Sequence, residues 1–221
     1  MKIEINNPET LNDIKLGNYQ SFLKLENPQE ADIISNLLEL DKSVVPLIKD
    51  KVFNSLVSNV NSLFEQEHKF ADRFTLNGVT YGFIPNLDDI TYGENKDVTS
   101  YISEWGNMHK AMAVMYRPIT NSFNDKYLIE QYKGSRKYSE VMKDAPLGVV
   151  FGAMVFFWNL TNDLLNCIPN YLEKVAKEEQ TKGQISVENG VAIQNSVRLL
   201  KEMLQDLTKL QGYPFTNATH I

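Results

Sequence analysis

The window from Asp144 to Leu165, DAPLGVVFGAMVFFWNLTNDLL, constrains this chain more than any other stretch. From Leu147 to Leu160 only Asn159 is polar. Asp144 is of a type that caps a helix, and Pro146 sits near the first helical position, where its missing N–H costs nothing. A helix apolar on every side is either buried among other elements or crosses a membrane. This run is shorter than the roughly 20 residues a bilayer requires, and Asn159, Thr161, Asn162 and Asp163 follow at once. The reading is a buried central helix over about 146–165 that other helices must cover, with Phe156 and Trp158 as core anchors. Gly148 and Gly152 place two small residues one turn apart, which marks a close helix–helix approach.

The flanking sequence supplies the covering elements. Met1, Ile3 and Ile5 alternate with polar residues as a short strand. Leu16-Gly17-Asn18-Tyr19 reads as a turn into a short helix. Asn27-Pro28-Gln29-Glu30 starts a helix with a capping side chain, a proline and an acid, and Ile33, Ile34, Leu37 and Leu38 continue it. Pro46 interrupts the chain. Val52, Phe53, Leu56, Val57, Val60, Leu63 and Phe64 then recur at steps of one, three or four and define one apolar helix face.

Over about 73–84 the period changes to two. Phe74 and Leu76 alternate before Asn77-Gly78, and Val79, Tyr81 and Phe83 after it. Asn-Gly between alternating apolar runs signals a hairpin, because a type I′ turn needs positive φ at both central residues. A lone hairpin is marginal in water, so this one must pack on the helices, pair with the Met1–Ile5 strand or meet another subunit's edge. Asp88, Asp89 and Glu94 follow in a loop or single helical turn; they lack the spacing of a calcium loop, and capping or solvation is their expected role. Val98–Tyr116 reads as one helix with Tyr101, Trp105, Met108, Met112 and Met115 on a stripe, ended by Arg117-Pro118. Trp105, Met108 and Met112 are its expected core anchors. Thr120–Tyr138 is polar and reads as an exposed excursion. Beyond the central helix, 180–190 is a polar linker, Val191–Leu210 a last helix, and Tyr213 and Phe215 lie in an aromatic tail. The fold class is therefore mainly α with a small β element. A single helical domain over 1–180 carries the hairpin, and 181–221 forms a C-terminal contact extension.

Composition excludes several classes. The 221 residues carry a formal net charge of −6, and the densest basic patch is only Lys133, Arg136 and Lys137. Duplex binding needs a basic face, so no direct nucleic-acid partner is expected. The single cysteine, Cys167, allows no internal disulfide and reads as a buried small hydrophobe. The first residues lack the apolar core of a signal peptide, so synthesis in a cytoplasm is expected, without membrane insertion. No phosphate-binding loop, dinucleotide fingerprint or nucleophile elbow is present. His68, His109 and His220 are far apart in sequence and form no ligand motif. No enzyme activity, metal or cofactor is expected.

Phe74–Asp89 (FTLNGVTYGFIPNLDD), Trp105–Ile119 (WGNMHKAMAVMYRPI), Tyr138–Pro146 (YSEVMKDAP) and Gly152–Leu165 (GAMVFFWNLTNDLL), with the N-terminal Leu16–Leu23 (LGNYQSFL), resemble a group of proteins of tailed bacteriophages of Bacteroidetes hosts, including crAss-like phages. The resemblance spans about residues 1–175. It implies a role in building the virus particle, in the head-to-tail or tail region, and supplies no active-site residues. The expected protein is a structural component of the virion, made in the host bacterial cytoplasm. Its expected partners are portal, ring or tail proteins and further copies of itself, with Asn77, Gly78, Tyr213 and Phe215 as candidate contacts. Two alternatives stay open: a tail-assembly chaperone that leaves before maturation and uses the methionine stripe as an adaptable surface, and a small phage-encoded regulator or enzyme.

Overall fold

The computed structural model describes residues 5–160. Within them the chain is an α+β fold in which helices and one antiparallel sheet wrap a buried helix. We number the helices α1 (Leu16–Phe22), α2 (Glu30–Leu37), α3 (Asp50–Phe64), α4 (Tyr92–Ile102), α5 (Met108–Met115), α6 (Arg136–Ser139) and α7 (147–160). The strands are β1 (Arg73–Leu76), β2 (Val79–Phe83), β3 (Tyr116–Phe123) and β4 (Lys126–Ile129), in the order β1-β2-β3-β4.

The apolar helix α7 is the centre of this arrangement. Leu147, Val150, Phe151 and Ala153 have no exposed surface. Its start differs in detail from the sequence reading. Pro146 is the cap residue rather than the first helical one, its carbonyl accepting from the amides of Val149 and Val150. Asp144 ends the preceding 3-10 turn and pairs instead with Lys15 at 3.8 Å. The amide of Leu147, one of the first-turn donors with no partner inside its own helix, donates to the carbonyl of Ile14 at 2.8 Å, and the amide of Leu16 donates to Ala145 at 3.0 Å. This two-bond bridge fastens the start of α1 to the start of α7.

Among the described residues, Phe151 faces an aromatic cluster drawn from four segments. Its ring lies 5.8 Å from Tyr19 of α1, 6.0 Å from Phe64 of α3, 5.5 Å from Trp105 and 5.1 Å from His68. Tyr19 also meets Trp105 edge-on at 5.0 Å. The glycines of α7 mark close approach, but to a 3-10 turn and a loop and not to an α-helix. A Cβ at Gly152 would run into the Lys69 carbonyl and stand 3.3 Å from Phe70 Cα; one at Gly148 would meet Asn12.

Other elements follow local chemistry with some shifts. The segment 16–19 is the first turn of α1 itself. In α2 the capping box is Gln29 with Asp32, while Asn27 takes a left-handed φ of 51° ahead of it. Helix α3 buries Leu56, Val60 and Leu63, and Val52 at its start is exposed. Met1–Glu4 lie outside the described residues; Ile5 is not in a strand and packs on the core.

The hairpin over 73–84 is present, with φ of 51° at Asn77 and 76° at Gly78, the two positive values a type I′ turn needs. Its partner is β3, which the sequence reading had placed at the end of a helix and in an exposed excursion. Two corrections follow. Val98–Tyr116 is not one helix: α4 ends at Ile102, Glu104 is extended, and a 3-10 turn over Trp105–Asn107 leads into α5. The break lets α5 fold back against α4, burying Ile102, Met108, Met112 and Met115 completely. The 3- and 4-residue apolar spacing continues through the break, so periodicity could not reveal it. Second, residues 116–129 are strands. Tyr116–Pro118 pair with β2, the register shifts between Ile119 and Asn121, and Ile119–Phe123 pair with β4 around Asn124 at φ 53°. Pro118, which has no N–H to give a ladder, lies where pairing changes from one neighbour to the other.

Gly152→Ala should therefore lower stability by about 1–3 kcal/mol, the usual range for overpacking a core. Gly106→Ala, whose Cβ would meet nothing within 4 Å, should change it little. Urea unfolding of both variants checks the contrast.

Candidate interaction surface

Two buried polar pairs tie elements together, one at the sheet and one between α1 and α5. The first begins as a helix cap. Thr91 Oγ1 accepts from the Glu94 amide at 3.2 Å, and Glu94 Oε2 accepts from the Thr91 amide at 2.8 Å. The other carboxylate oxygen meets Arg117 Nη1 of β3 at 2.5 Å, with both side chains under a tenth exposed. A cap on α4 thus reaches across to the sheet. Burial pushes the Glu94 carboxyl up, but the bonds from Thr91 and the charge of Arg117 outweigh it and hold the carboxyl below its ordinary value. Tyr132 lies against Arg117, ring centroid 5.5 Å from the guanidinium, and its hydroxyl donates to Asp97. The second pair is Gln20 with His109: the amide nitrogen of Gln20 stands 3.1 Å from Nδ1 and also donates to the Trp105 carbonyl at 2.5 Å.

The β3–β4 hairpin forms an arm that bends back over β2. Tyr127 of β4 lies on Gly82, where a Cβ would collide with the ring and stand 3.0 Å from Ile119 Cγ1. The Tyr127 hydroxyl is within hydrogen-bond distance of the carbonyls of Phe83 (2.9 Å) and Asp72 (3.0 Å). Arg73 Nη2 donates to the Asp125 carbonyl at 3.1 Å. The outer side of the arm carries Phe123 and Leu128, 79 % and 64 % exposed. Between the turn of the arm and the second half of α7 lies a groove of about 460 Å³, with Phe70, Phe83, Tyr127 and Phe156 among its walls and Asp72, Asp88 and Asp125 beside them.

The residues singled out from sequence separate into three groups. Asn77 and Gly78 are exposed at the tip of the first hairpin. Met108 and Met112 are fully buried, Trp105 and Phe156 are partly buried against the core, and Trp158 is half-buried. Tyr213 and Phe215, with the linker, last helix and Cys167, lie outside the described residues. The arm and the groove escaped sequence reading. The available signal for the arm was Ile119, Phe123, Tyr127 and Ile129 around Asn124-Asp125, a weaker turn pair than Asn-Gly. The groove's residues come from four separate segments.

Among the described residues no group of three or more His, Cys, Asp or Glu is placed to hold a metal ion, and no helix is long and apolar enough to cross a membrane. Asp89 accepts from Asn86 at 2.6 Å in a capped 3-10 turn, and Glu94 is committed to its cap and to Arg117. Compared with known proteins, the chain matches no family model, no curated protein and no solved structure.

Two predictions test these buried polar groups and the buried His68. Glu94→Gln leaves Arg117 buried without its countercharge and should destabilise by about 3–5 kcal/mol, read by chemical unfolding at neutral pH. His68 and His109 are both more than nine-tenths buried, and burial lowers both pKa values below 6.5. The unfolded chain then takes up protons as pH falls through 6.5 while the folded chain does not, so stability falls as pH drops from 6.5 towards the folded values. His68→Phe should flatten that fall, measured as unfolding free energy between pH 7.5 and 5.5.

Proposed function

We propose that this chain is a structural component of a tailed-phage particle, a connector, ring or tail-associated protein that acts through protein–protein contacts. The resemblance of residues 1–175 to phage proteins of Bacteroidetes hosts motivates the reading. The observation that carries it is the β3–β4 arm, which displays Phe123 and Leu128 to solvent at the edge of the sheet. Leu128 lies on the edge strand β4 and Phe123 beside the turn of the arm, and exposed apolar residues at a sheet edge suit pairing with a neighbour. Ring components close by head-to-tail contacts in which one face of a copy meets a different face of the next; the arm and the Asn77-Gly78 tip are two such faces. The reading assigns no catalysis, cofactor, nucleic-acid or membrane role. The chaperone alternative drew on an exposed methionine surface, and Met108, Met112 and Met115 are all buried.

Quantitative mass spectrometry of purified, DNA-filled particles tests the proposal. The expected result is this protein at a fixed multiple of the portal protein; abundance in infected cells with absence from particles overturns it. Phe123→Ser with Leu128→Ser should keep the unfolding temperature and reduce incorporation into particles, since neither side chain is buried in the monomer.

A further inference from the structure

The groove beside the arm has a composition that the fold itself does not require. Phe70 stacks on Phe156 at 4.4 Å and 24°, and Phe83 meets both rings edge-on at 5.0 and 5.5 Å. Phe70 nevertheless stays 36 % exposed. Three aspartates, Asp72, Asp88 and Asp125, line the same groove, and among the described residues no Lys or Arg does. Aromatic faces attract cations through their quadrupole, carboxylates attract them by charge, and long basic side chains lay their methylenes on apolar surface while the head stays polar.

The chain already performs this chemistry at the groove's edge. Arg73 stands over the Tyr127 ring, 5.0 Å from its centroid, while its Nε and Nη2 donate to Asp72 at 3.2 and 3.0 Å. That engages Asp72 and Tyr127, and Arg73 Nη2 also donates to the Asp125 carbonyl at 3.1 Å. The carboxylates of Asp88 and Asp125 make no ion pair among the described residues, and Phe70 keeps its open surface.

We infer that this groove receives a basic segment of a partner protein, an extended stretch that sets an apolar side chain on Phe70 and a Lys or Arg head beside Asp88 and Asp125. About 460 Å³ is the size of a small-ligand pocket, room for a few side chains and not for a folded element. The net charge of −6 draws a basic partner from a distance. That the partner is a particle protein rests on the reading proposed above; the binding chemistry does not.

The test titrates the full chain into a fluorescein-labelled peptide of alternating Arg and Leu, followed by anisotropy, with Gln–Leu and Glu–Leu peptides for comparison. The Arg–Leu peptide should bind at least about tenfold more tightly than Gln–Leu, Glu–Leu should not bind, and added salt should weaken the complex. Asp88→Asn with Asp125→Asn should lower the affinity about tenfold without changing the unfolding temperature. Glu26→Gln with Glu65→Gln, the same charge change elsewhere on the surface, should leave it unchanged. Equal loss in both double variants would mean attraction to net charge alone and overturn the proposal. So would arginine amide competing as well as the whole peptide, which would make the groove a site for a small cation. Failure of the peptide assay removes the groove whatever particles contain; absence from particles removes the virion reading and leaves the peptide assay standing.

Discussion

A helix with no polar face has to be enclosed, and the rest of this structure depends on that requirement. Helix α7 presents Phe151 to Tyr19, Phe64, His68 and Trp105, and Phe156 and Phe157 to Phe83. Among the described residues these contacts come from α1, α3, a loop, a 3-10 turn and a strand, pieces widely spaced along the chain. Each aromatic pair adds about 0.5–1.5 kcal/mol beyond the burial of its area, so no single pair holds the coat on. The small residues of α7 admit backbone: at Gly152 the 69–70 segment passes so near that a methyl group does not fit. The bridge between residues 14–16 and 145–147 fixes where the coat begins.

The sheet is attached to this core by specific polar contacts rather than by apolar area alone. Glu94 caps α4 and pairs with Arg117, Tyr116 donates to the Ala71 carbonyl at 2.7 Å, and Tyr127 reaches the backbone of residues 72 and 83. A buried ion pair adds little net stability over an apolar replacement, but removing one partner is severe. Its effect here is to set where β3 lies relative to α4. Once β3 is set, its register shift at 119–121 bends the arm back over Gly82 and creates the groove. Phe123, Leu128 and Phe70 remain exposed in this arrangement.

How much of this was legible from sequence varies with the range of the interaction involved. The buried helix, the face of α3 and the Asn77-Gly78 hairpin were readable because each rests on a local pattern: continuous apolarity, a 3.6-residue period, a turn that needs positive φ. The methionine stripe was assigned to the core, and Met108 and Met112 are fully buried. The helix expected over Val98–Tyr116 failed because its apolar spacing runs unbroken across a chain reversal; Gly106-Asn107 was the only local mark of it. The β3–β4 arm failed because its strands are mostly polar outside and its turn lacks glycine.

Local patterns alone require that the chain bury an apolar helix and that it form an α+β fold with a type I′ hairpin, and they include none of the familiar local catalytic motifs. These follow from patterns within a few residues of each other. That α4 and α5 fold against each other, that the hairpin finds its partner in β3, and that Phe70, Phe83, Phe156, Asp88 and Asp125 share one groove follows from the folded arrangement and from no local pattern. Those outcomes depend on contacts between residues dozens of positions apart, whose geometry is set only when the coat closes around α7.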